Sequence, residues 1–493
     1  MAQIQVQNLT FAYDGAYDTI FDDVSFRIDT DWKLGLVGRN GRGKTTFLRL
    51  LQGGLEYRGT ISSPVEFTYF PFPVEDERAL TLDIIEKTDP GYELWKICRE
   101  LNLMEADCGI LYRPFDTLSN GERTKALLAL LFSRESQFLL IDEPTNHLDW
   151  ESRQTLMRYL NRKKGFLLVS HDRMFLDGCV DHIMAINRQD ITVTKGNFSV
   201  WWENKERQDA MEAARNEQLK KEIGQLRMAA RRAEGWSYQA EKMKRGSARP
   251  DHGDVDRGYI GHKAAKVMKR AKGIADRAQE AVREKEELLK NVETAENLKL
   301  FPLTHRKEIL ASLEDVTINY GERTVVSGFS LKVRNGERLV LTGPNGCGKS
   351  SILKVLWGDL APAAGRVELA SGLIISRVPQ DTSFLSGRLE DYGAKNGLEE
   401  SLFKALLRKL DFSREQLGKQ MQDFSEGQKK KVLIAASLCQ QAHLYIWDEP
   451  LNYIDVFSRM QIEELILRWK PTMLLVEHDE YFIRKIGAGT VPL

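Results

Sequence analysis

The sequence predicts two similar α/β domains joined by a long antiparallel α-helical hairpin, and three observations carry that reading. A strand, a glycine loop and a helix start occur twice, as Leu34-Gly-Leu-Val-Gly38-Arg-Asn-Gly41-Arg-Gly43-Lys44-Thr45 and as Leu339-Val-Leu-Thr-Gly343-Pro-Asn-Gly346-Cys-Gly348-Lys349-Ser350. Three further motifs recur in the same order at nearly the same offset. The stretch between the copies changes character, to Ala, Glu, Lys and Arg with heptad-spaced apolar residues.

Both loops read G-x-x-x-x-G-K-[ST], in which backbone N–H groups cradle phosphates and the lysine reaches the outer ones. Glycine is needed because a side chain would block the backbone's approach to the anion. The hydroxyl of Thr45 or Ser350 is placed for Mg²⁺, and the following helix points its positive end at the phosphates. Leu118-Ser119-Asn-Gly121-Glu122 is matched by Phe424-Ser425-Glu-Gly427-Gln428, and Phe138-Leu-Leu-Ile-Asp142-Glu143-Pro by Leu444-Tyr-Ile-Trp-Asp448-Glu449-Pro. Ser170-His171-Asp172 is matched by Glu477-His478-Asp479. From Lys44, Ser119, Asp142 and His171 the offsets are 305, 306, 306 and 307 residues. Four motifs in one order at one offset mark a duplication, with P-loop nucleotide-binding domains expected over residues 1–197 and 305–493.

Within each domain short apolar runs alternate with helical patterns, which predicts a mainly parallel sheet with flanking helices. The runs Phe138–Ile141 and Tyr445–Trp447 are continuously apolar, as strands buried on both faces should be. They end in carboxylates, and the carboxyl ends of such strands are where ligands bind.

Residues 198–304 read as a linker. Leu219, Ile223, Leu226, Ala230 and Ala233 make one apolar stripe, and Val267, Ala271, Ile274, Ala278, Ala281 and Leu288 another. Between them the turn-rich run from Arg245 to Gly258 is one that no helix would cross. A hairpin of helices of about 35–40 residues, reaching about 55 Å, is expected, with a tip loop over about 238–262. Basic residues crowd toward that tip: Arg231, Arg232, Lys242, Lys244, Arg245, Arg249, Lys263, Lys266, Lys269 and Arg270. From Lys220 to Arg277 there are 16 Lys/Arg against 7 Asp/Glu.

The whole chain of 493 residues has 71 Lys+Arg and 71 Asp+Glu, so this basic block is balanced by acid elsewhere and points to a polyanionic partner. The five cysteines lie far apart with no C-x-x-C, which predicts a reducing compartment without disulfides or structural zinc. The N-terminus alternates like a strand and carries no basic-plus-apolar signal segment. The longest uncharged run, Val432 to Trp447, has 16 residues and includes Ser, Gln and His, too short and polar to span a bilayer. A soluble cytoplasmic protein is expected.

Asp142 and Asp448 end apolar strands and suit Mg²⁺ ligation, while Glu143 and Glu449 follow them, placed to polarise an attacking water. His171 and His478 each follow a further apolar strand, and their duplicated placement favours contact with the γ-phosphate region. Tyr13 and Tyr320 precede the loop lysines by 31 and 29 residues and are candidates to stack on adenine, with a core aromatic as the alternative.

Each half resembles an ATP-binding cassette (ABC) nucleotide-binding domain, with Walker A, a Leu-Ser-Gly-Gly-Gln-like signature, Walker B, a D-loop (Leu148-Asp149; Ile454-Asp455) and the switch histidine. That resemblance implies two ATPs sandwiched head to tail, each faced by the other domain's signature. One site then uses Gly38, Asn40, Gly41, Gly43, Lys44, Thr45 and Thr46 with Asp142, Glu143 and His171, completed by Ser425 and Gly427. The other uses Gly343, Asn345, Gly346, Gly348, Lys349, Ser350 and Ser351 with Gln380, Asp448, Glu449 and His478, completed by Ser119 and Gly121. Gln380, in Val378-Pro-Gln380-Asp, is the glutamine expected to contact Mg²⁺ and water. In the first half an ungapped alignment puts Phe72 there, which predicts slower hydrolysis at the Lys44 site.

The whole chain is similar to the ABC-F family: two cassettes in one polypeptide, no membrane domain and a helical interdomain linker. Glu143-Pro-Thr-Asn-His-Leu-Asp149 and Gly196-Asn-Phe-Ser199 carry the likeness. The spacings from Thr45 to Ser119 and from Ser350 to Ser425, 74 and 75 residues, predict no inserted arm, and the 15 residues after His478 predict no C-terminal extension. The armless, long-linker form resembles the antibiotic-resistance branch, its Lsa-type subgroup in particular. The resemblance implies a monomeric ATPase using ATP and Mg²⁺ that binds the ribosomal exit site, contacting rRNA and P-site tRNA. Its linker tip would displace lincosamides, pleuromutilins and group A streptogramins from the peptidyl-transferase centre. A housekeeping ABC-F translation factor, the ATPase subunit of a membrane transporter and a cassette ATPase of DNA repair are the alternatives.

Overall fold

The computed structural model describes residues 2–13, 19–134, 137–146, 148–187, 190–246 and 299–493, with positions 266, 269, 270, 272, 277, 280, 281 and 283. The chain divides into two compact units: Met1–Trp201 with Ala295–Leu493, and Trp202–Thr294.

In the first unit the strands of the N-terminal copy are β1 (Gln3–Phe11), β2 (Phe21–Asp29), β3 (Lys33–Val37), β4 (Arg58–Ser62), β5 (Glu66–Phe70), β6 (Gln137–Asp142), β7 (Phe166–Val169), β8 (His182–Ile186) and β9 (Ile191–Lys195). They form a sheet of order β5-β6-β7-β3-β8-β9, parallel except for the last pair, and an antiparallel sheet β2-β1-β4. The C-terminal copy has β10 (Ile309–Tyr320), β11 (Arg323–Arg334), β12 (Arg338–Thr342), β13 (Ala364–Leu369), β14 (Ile375–Val378), β15 (Leu444–Asp448), β16 (Met473–Val476) and β17 (Gly489–Pro492). It repeats the plan, with orders β14-β15-β16-β12-β17 and β11-β10-β13.

The order β6-β7-β3 explains why motifs far apart in sequence meet. The ladder pairs Asp142 with Val169 and Leu36 with Val169, so the carboxylate, the histidine and the glycine loop leave one sheet edge side by side. Asp448, Val476 and Leu341 are aligned in the same way in the second copy. Strand β7 (FLLV) and strand β16 (MLLV) are buried at every position, as the apolar runs required. The helix after each loop seals the sheet: Phe47 and Leu48 in the first copy, and Ile352 and Leu353 in the second, are fully buried. Each such side chain contributes about 1.5–3 kcal/mol by leaving water.

In the second unit lies most of the helix Phe198–Gly246, whose 49 residues span about 73 Å, more than the 35–40 residues expected. Asn197 Oδ1 accepts from Val200 N–H at its start. Leu219 and Ile223 are buried while Lys220, Lys221 and Arg227 are exposed, as the apolar stripe required. Arg231 and Arg232 are exposed, and Lys242, Lys244 and Arg245 lie on the same helix, which takes up the first part of the expected tip loop. Lys266, Lys269 and Arg270 are helical and exposed. Arg249, Lys263 and the tip beyond Gly246 lie outside the described residues.

The expectation about the cysteines fails. Cys98 and Cys108 are joined by a disulfide, whereas Cys179, Cys347 and Cys439 are free. The partners sit on the helix Leu94–Leu103 and the short 3₁₀ turn Cys108–Tyr112, which fold back on each other. Packing brings the two sulfurs together, and no C-x-x-C spacing advertises it. Among the described residues no helix is long and apolar enough to cross a membrane.

Candidate nucleotide sites

Each glycine loop turns into its helix through a left-handed residue, Gly43 (φ 88°) and Gly348 (φ 106°). A Cβ on Gly43 would lie 2.5 Å from Ile20 Cγ2, and one on Gly348 2.3 Å from Val326 Cγ2, so the loop can close only with glycine there. Gly41 and Gly346 are also left-handed, at φ 81° and 82°. Lys44 Nζ bends back to donate to Gly38 O (2.8 Å) and Asn40 Oδ1 (3.2 Å), and burial lowers its pKa. Lys349 Nζ likewise donates to Gly343 O and Pro344 O, both at 2.8 Å.

The expected hydroxyl–carboxylate pairs are adjacent. Thr45 Oγ1 donates to Asp142 Oδ2 at 3.2 Å, and Ser350 hydrogen-bonds Asp448. Burial raises both carboxyls, that of Asp448 to about 6, against the opposing bond from Ser350. Asp448 Oδ1 is buried without a hydrogen-bond partner among the described residues, a donor set that fits a divalent cation shared with phosphate oxygens. Tyr13 Oη lies 3.0 Å from Thr46 Oγ1, and Tyr320 Oη 3.2 Å from Ser351 Oγ. Both tyrosines are exposed beside the loop and are not core aromatics.

Glu143 and Glu449 follow their strands in left-handed backbone (φ 49° and 45°), each N–H caught at 2.9 Å by a neighbouring strand, at Val169 O and Val476 O. That kink turns both carboxyls toward the histidines. His171 Nε2 is 3.4 Å from Glu143 Oε1, and His478 Nε2 is 3.9 Å from Glu449 Oε1. Burial, with Asp142 beside it, pushes Glu143 up to about 8. Burial and then Lys44 hold His171 well below its ordinary value, and burial and Lys349 bring His478 down to about 4.

The two sites differ at the glutamine. Gln380 Nε2 donates to Glu449 Oε2 at 2.8 Å, and Asn452 Nδ2 donates to the same oxygen at 2.6 Å. Ladder pairing of Phe70 with Ile141 and of Val378 with Trp447 brings Phe72 into register with Gln380. Phe72 is apolar, and Arg134 Cζ lies 5.3 Å from its ring centre.

The two copies meet at both glycine loops. Asn40 Nδ2, in the first loop, donates to Tyr453 O of the second copy at 2.8 Å, and a Cβ on Gly427 would lie 3.0 Å from that same Nδ2. On the other side a cavity of about 330 Å³ is lined by Asn120, Leu148 and Arg153 of the first copy and by Asn345, Lys349, Ser350, Gln380, Glu449 and His478 of the second. Ser119 and Ser425 cap the helices Asn120–Ser133 and Glu426–Cys439 in reciprocal capping boxes with Glu122 and Gln428. Gly121 stands against Ser152 of its own copy.

Several residues escaped the sequence reading. Arg153 joins the D-loop to the histidine loop through Leu148 O (3.0 Å) and Asp172 Oδ2 (3.3 Å). Arg459 does the same through Ile454 O (2.9 Å) and Asp479 Oδ2 (3.0 Å). The repeated Asp-x-x-x-Arg of Asp149/Arg153 and Asp455/Arg459 was the available signal. Across the copies Arg39 pairs with Asp411 and Arg173 with Glu463, pairs that no motif announces.

The ABC transporter family profile matches residues 21–146 and 326–452. The ribosome protection protein VmlR of Bacillus subtilis is 28% identical over 96% of this chain and 84% of its own length. The ATP-binding protein Uup of Caulobacter vibrioides is 30% identical over 97% of this chain and 75% of its own. Archaeal ribosome recycling factor aABCE1, in its crystal structure with stalk protein aP1, superposes with a TM-score of 0.59 at 20% identity over 97% of this chain and 86% of that one, a likeness of fold. With both copies matched and relatives spanning nearly its whole length, the protein belongs to the ABC family and, within it, to the ABC-F ATPases.

Proposed function

We propose that this ATPase works on the ribosome, with two ATPs clamping the cassettes together and the clamp governing a basic hairpin that meets rRNA. The observation that carries the reading is the long helix Phe198–Gly246, with Arg231 and Arg232 exposed toward its basic end. Clustered cations on a helical face attract phosphates in a salt-dependent, largely sequence-independent way, and rRNA is read mainly by shape. The likeness to VmlR, a ribosome protection protein, supports the same partner.

In this reading Lys44 and Lys349 leave their loop carbonyls for the β- and γ-phosphates, and Tyr13 and Tyr320 stack on adenine. Ser425 with Gly427, and Ser119 with Gly121, face the γ-phosphates from the opposite cassette. Thr45 with Asp142, and Ser350 with Asp448 and Gln380, would hold Mg²⁺, which supplies charge neutralisation on the transferring phosphoryl group. Glu449, steadied by Gln380, orients the attacking water, and His478 meets the γ-phosphate; Glu143 and His171 are their counterparts. Linker residues 198–304 carry the RNA contacts through Arg231, Arg232, Lys242, Lys244, Arg245, Arg249, Lys263, Lys266, Lys269 and Arg270.

In its finer form the proposal is of a monomeric, cytoplasmic ribosomal protection factor. It binds the exit site beside P-site tRNA, and its linker tip displaces lincosamides, pleuromutilins or group A streptogramins. The double variant Glu143→Gln, Glu449→Gln should co-sediment with ribosomes on a sucrose gradient containing ATP; failure to do so sinks the ribosomal reading. Growth of a susceptible bacterium expressing the chain, with and without a lincosamide, separates protection from a housekeeping role in translation.

A further inference from the structure

At the Lys349 site a polar side chain from the strand edge steadies the carboxylate that faces water. At the Lys44 site Phe72 cannot, and the neighbouring strand sends a different group to a different carboxylate. We propose that Tyr69 is a positioning residue of the Lys44 site, its hydroxyl fixing Asp142 for the divalent cation that accompanies the nucleotide. The inference rests on the reading of that loop as a nucleotide site.

The geometry is specific. Tyr69 Oη donates to Asp142 Oδ2 at 3.0 Å, the same oxygen that accepts from Thr45 Oγ1 at 3.2 Å. Tyr69 lies on β5 opposite Leu140 of β6, two residues short of Asp142, and a phenol is long enough to reach the strand end from there. Two neutral donors on one oxygen fix the carboxylate plane and so aim its second oxygen. When Thr45 turns to the cation, as its place in the motif implies, Tyr69 is the donor that stays on Oδ2. A phenol keeps its proton at neutral pH, so the hydroxyl is a donor there.

The second cassette lacks this device. Arg377 occupies the same ladder position, opposite Ile446, and its guanidinium pairs instead with Asp359 at 3.1 Å. The sites thus divide the work: the first steadies the carboxylate expected to meet the cation, the second the carboxylate expected to meet water. A site of the first kind is suited to holding a metal–nucleotide complex rather than to turning it over.

The test uses the full chain carrying Lys349→Ala, which confines Mn²⁺–ATP binding to the Lys44 site, with free Mn²⁺ read by electron paramagnetic resonance. Adding Tyr69→Phe, which keeps the ring and removes only the hydroxyl, should weaken Mn²⁺ about tenfold at saturating ATP. ATP binding measured in chelator should not change. In a Lys44→Ala chain the same substitution should leave Mn²⁺ binding unaltered. An unchanged Mn²⁺ affinity overturns the proposal and leaves the nucleotide reading standing. An equal loss of metal-free ATP binding assigns Tyr69 to packing and overturns it too. If the Lys349→Ala chain binds no Mn²⁺–ATP at all, the proposal and the reading beneath it both fall.

Discussion

Arg173 of the first cassette and Glu463 of the second form an ion pair closed to solvent, their side chains 4% and 2% exposed. Tyr481 covers the pair, with Arg173 Cζ 4.0 Å from the ring centre. Arg39 and Asp411 make a second cross-cassette pair, and Arg39 Cζ lies 5.4 Å from the ring of Phe457. Neither pair has a counterpart around the pseudo-twofold. The repeat puts Glu480 and Met157 at the places of Arg173 and Glu463, and Pro344 and Glu105 at those of Arg39 and Asp411.

Removing one partner of a buried pair strands the other charge. Arg173→Ala should cost about 3–5 kcal/mol, whereas replacing both by apolar residues, Arg173→Met with Glu463→Leu, should cost far less. Because the pair joins cassettes, the loss should be seen as separation of the two unfolding transitions in urea. A single cooperative transition of unchanged midpoint would contradict it.

The two signature glycines should respond unequally to alanine. At Gly427 a Cβ would lie 2.4 Å from the backbone oxygen of Tyr453, so the D-loop must move. At Gly121 it would lie 3.2 Å from Ser152 Oγ, and a serine hydroxyl can rotate away. Gly427→Ala should therefore cost about a hundredfold in turnover at the Lys44 site, read in a Lys349→Ala chain, since an ångström of misplacement is enough for that, and Gly121→Ala much less at the Lys349 site, read in a Lys44→Ala chain. Equal losses would show that the clash is absorbed.

The two carboxylates proposed to orient water should also be unequal. Glu449 is oriented by Gln380 and Asn452, whereas Glu143 Oε1 is buried without a hydrogen-bond partner among the described residues. Glu449→Gln is expected to remove most steady-state ATP turnover and Glu143→Gln a minor share. Equal reductions would count against hydrolysis being slower at the Lys44 site.

A buried carboxylate away from the nucleotide sites gives a pH prediction. Burial pushes Glu100 up, but bonds from Lys163 and from Tyr159 (2.7 Å), with Arg99 beside it, bring it below its ordinary value. A depressed carboxyl stabilises the fold above its unfolded pKa of about 4.3 and loses that contribution as pH falls through the folded value. Glu100→Gln should cost about 1–3 kcal/mol at pH ~7, with the gap to wild type closing in acid. A gap independent of pH in urea titrations would refute the assignment.

The parts of the site written as motifs were legible because a parallel sheet forces them together. Once β3, β6 and β7 are neighbours, Lys44, Asp142 and His171 share one edge whatever the loops between them do. The composite pairing was legible only through family resemblance. What stayed hidden depends on which residues touch between elements. Subtracting one copy from the other exposes Arg39 against Pro344 and Glu463 against Met157 as charge differences, but not their partners. Tyr69 reads as one aromatic among several in Phe67-Thr-Tyr69-Phe-Pro-Phe72, and only strand register aims its hydroxyl at Asp142. Cys98 and Cys108 are ten residues apart, a spacing with no meaning until the helix and turn that bear them pack.

A homodimer must write every interfacial bond twice, because its symmetry presents the same patch from both subunits. Two cassettes in one chain are released from that rule, and here they have used the freedom. The Arg39–Asp411 and Arg173–Glu463 pairs tie the two copies through bonds that have no repeat-related twin. Arg39, in the first glycine loop, is thereby tethered to the second copy, whereas its repeat-related place in the second loop is held by Pro344, which can form no ion pair. Duplication within one chain is what permits fastenings of this one-sided kind.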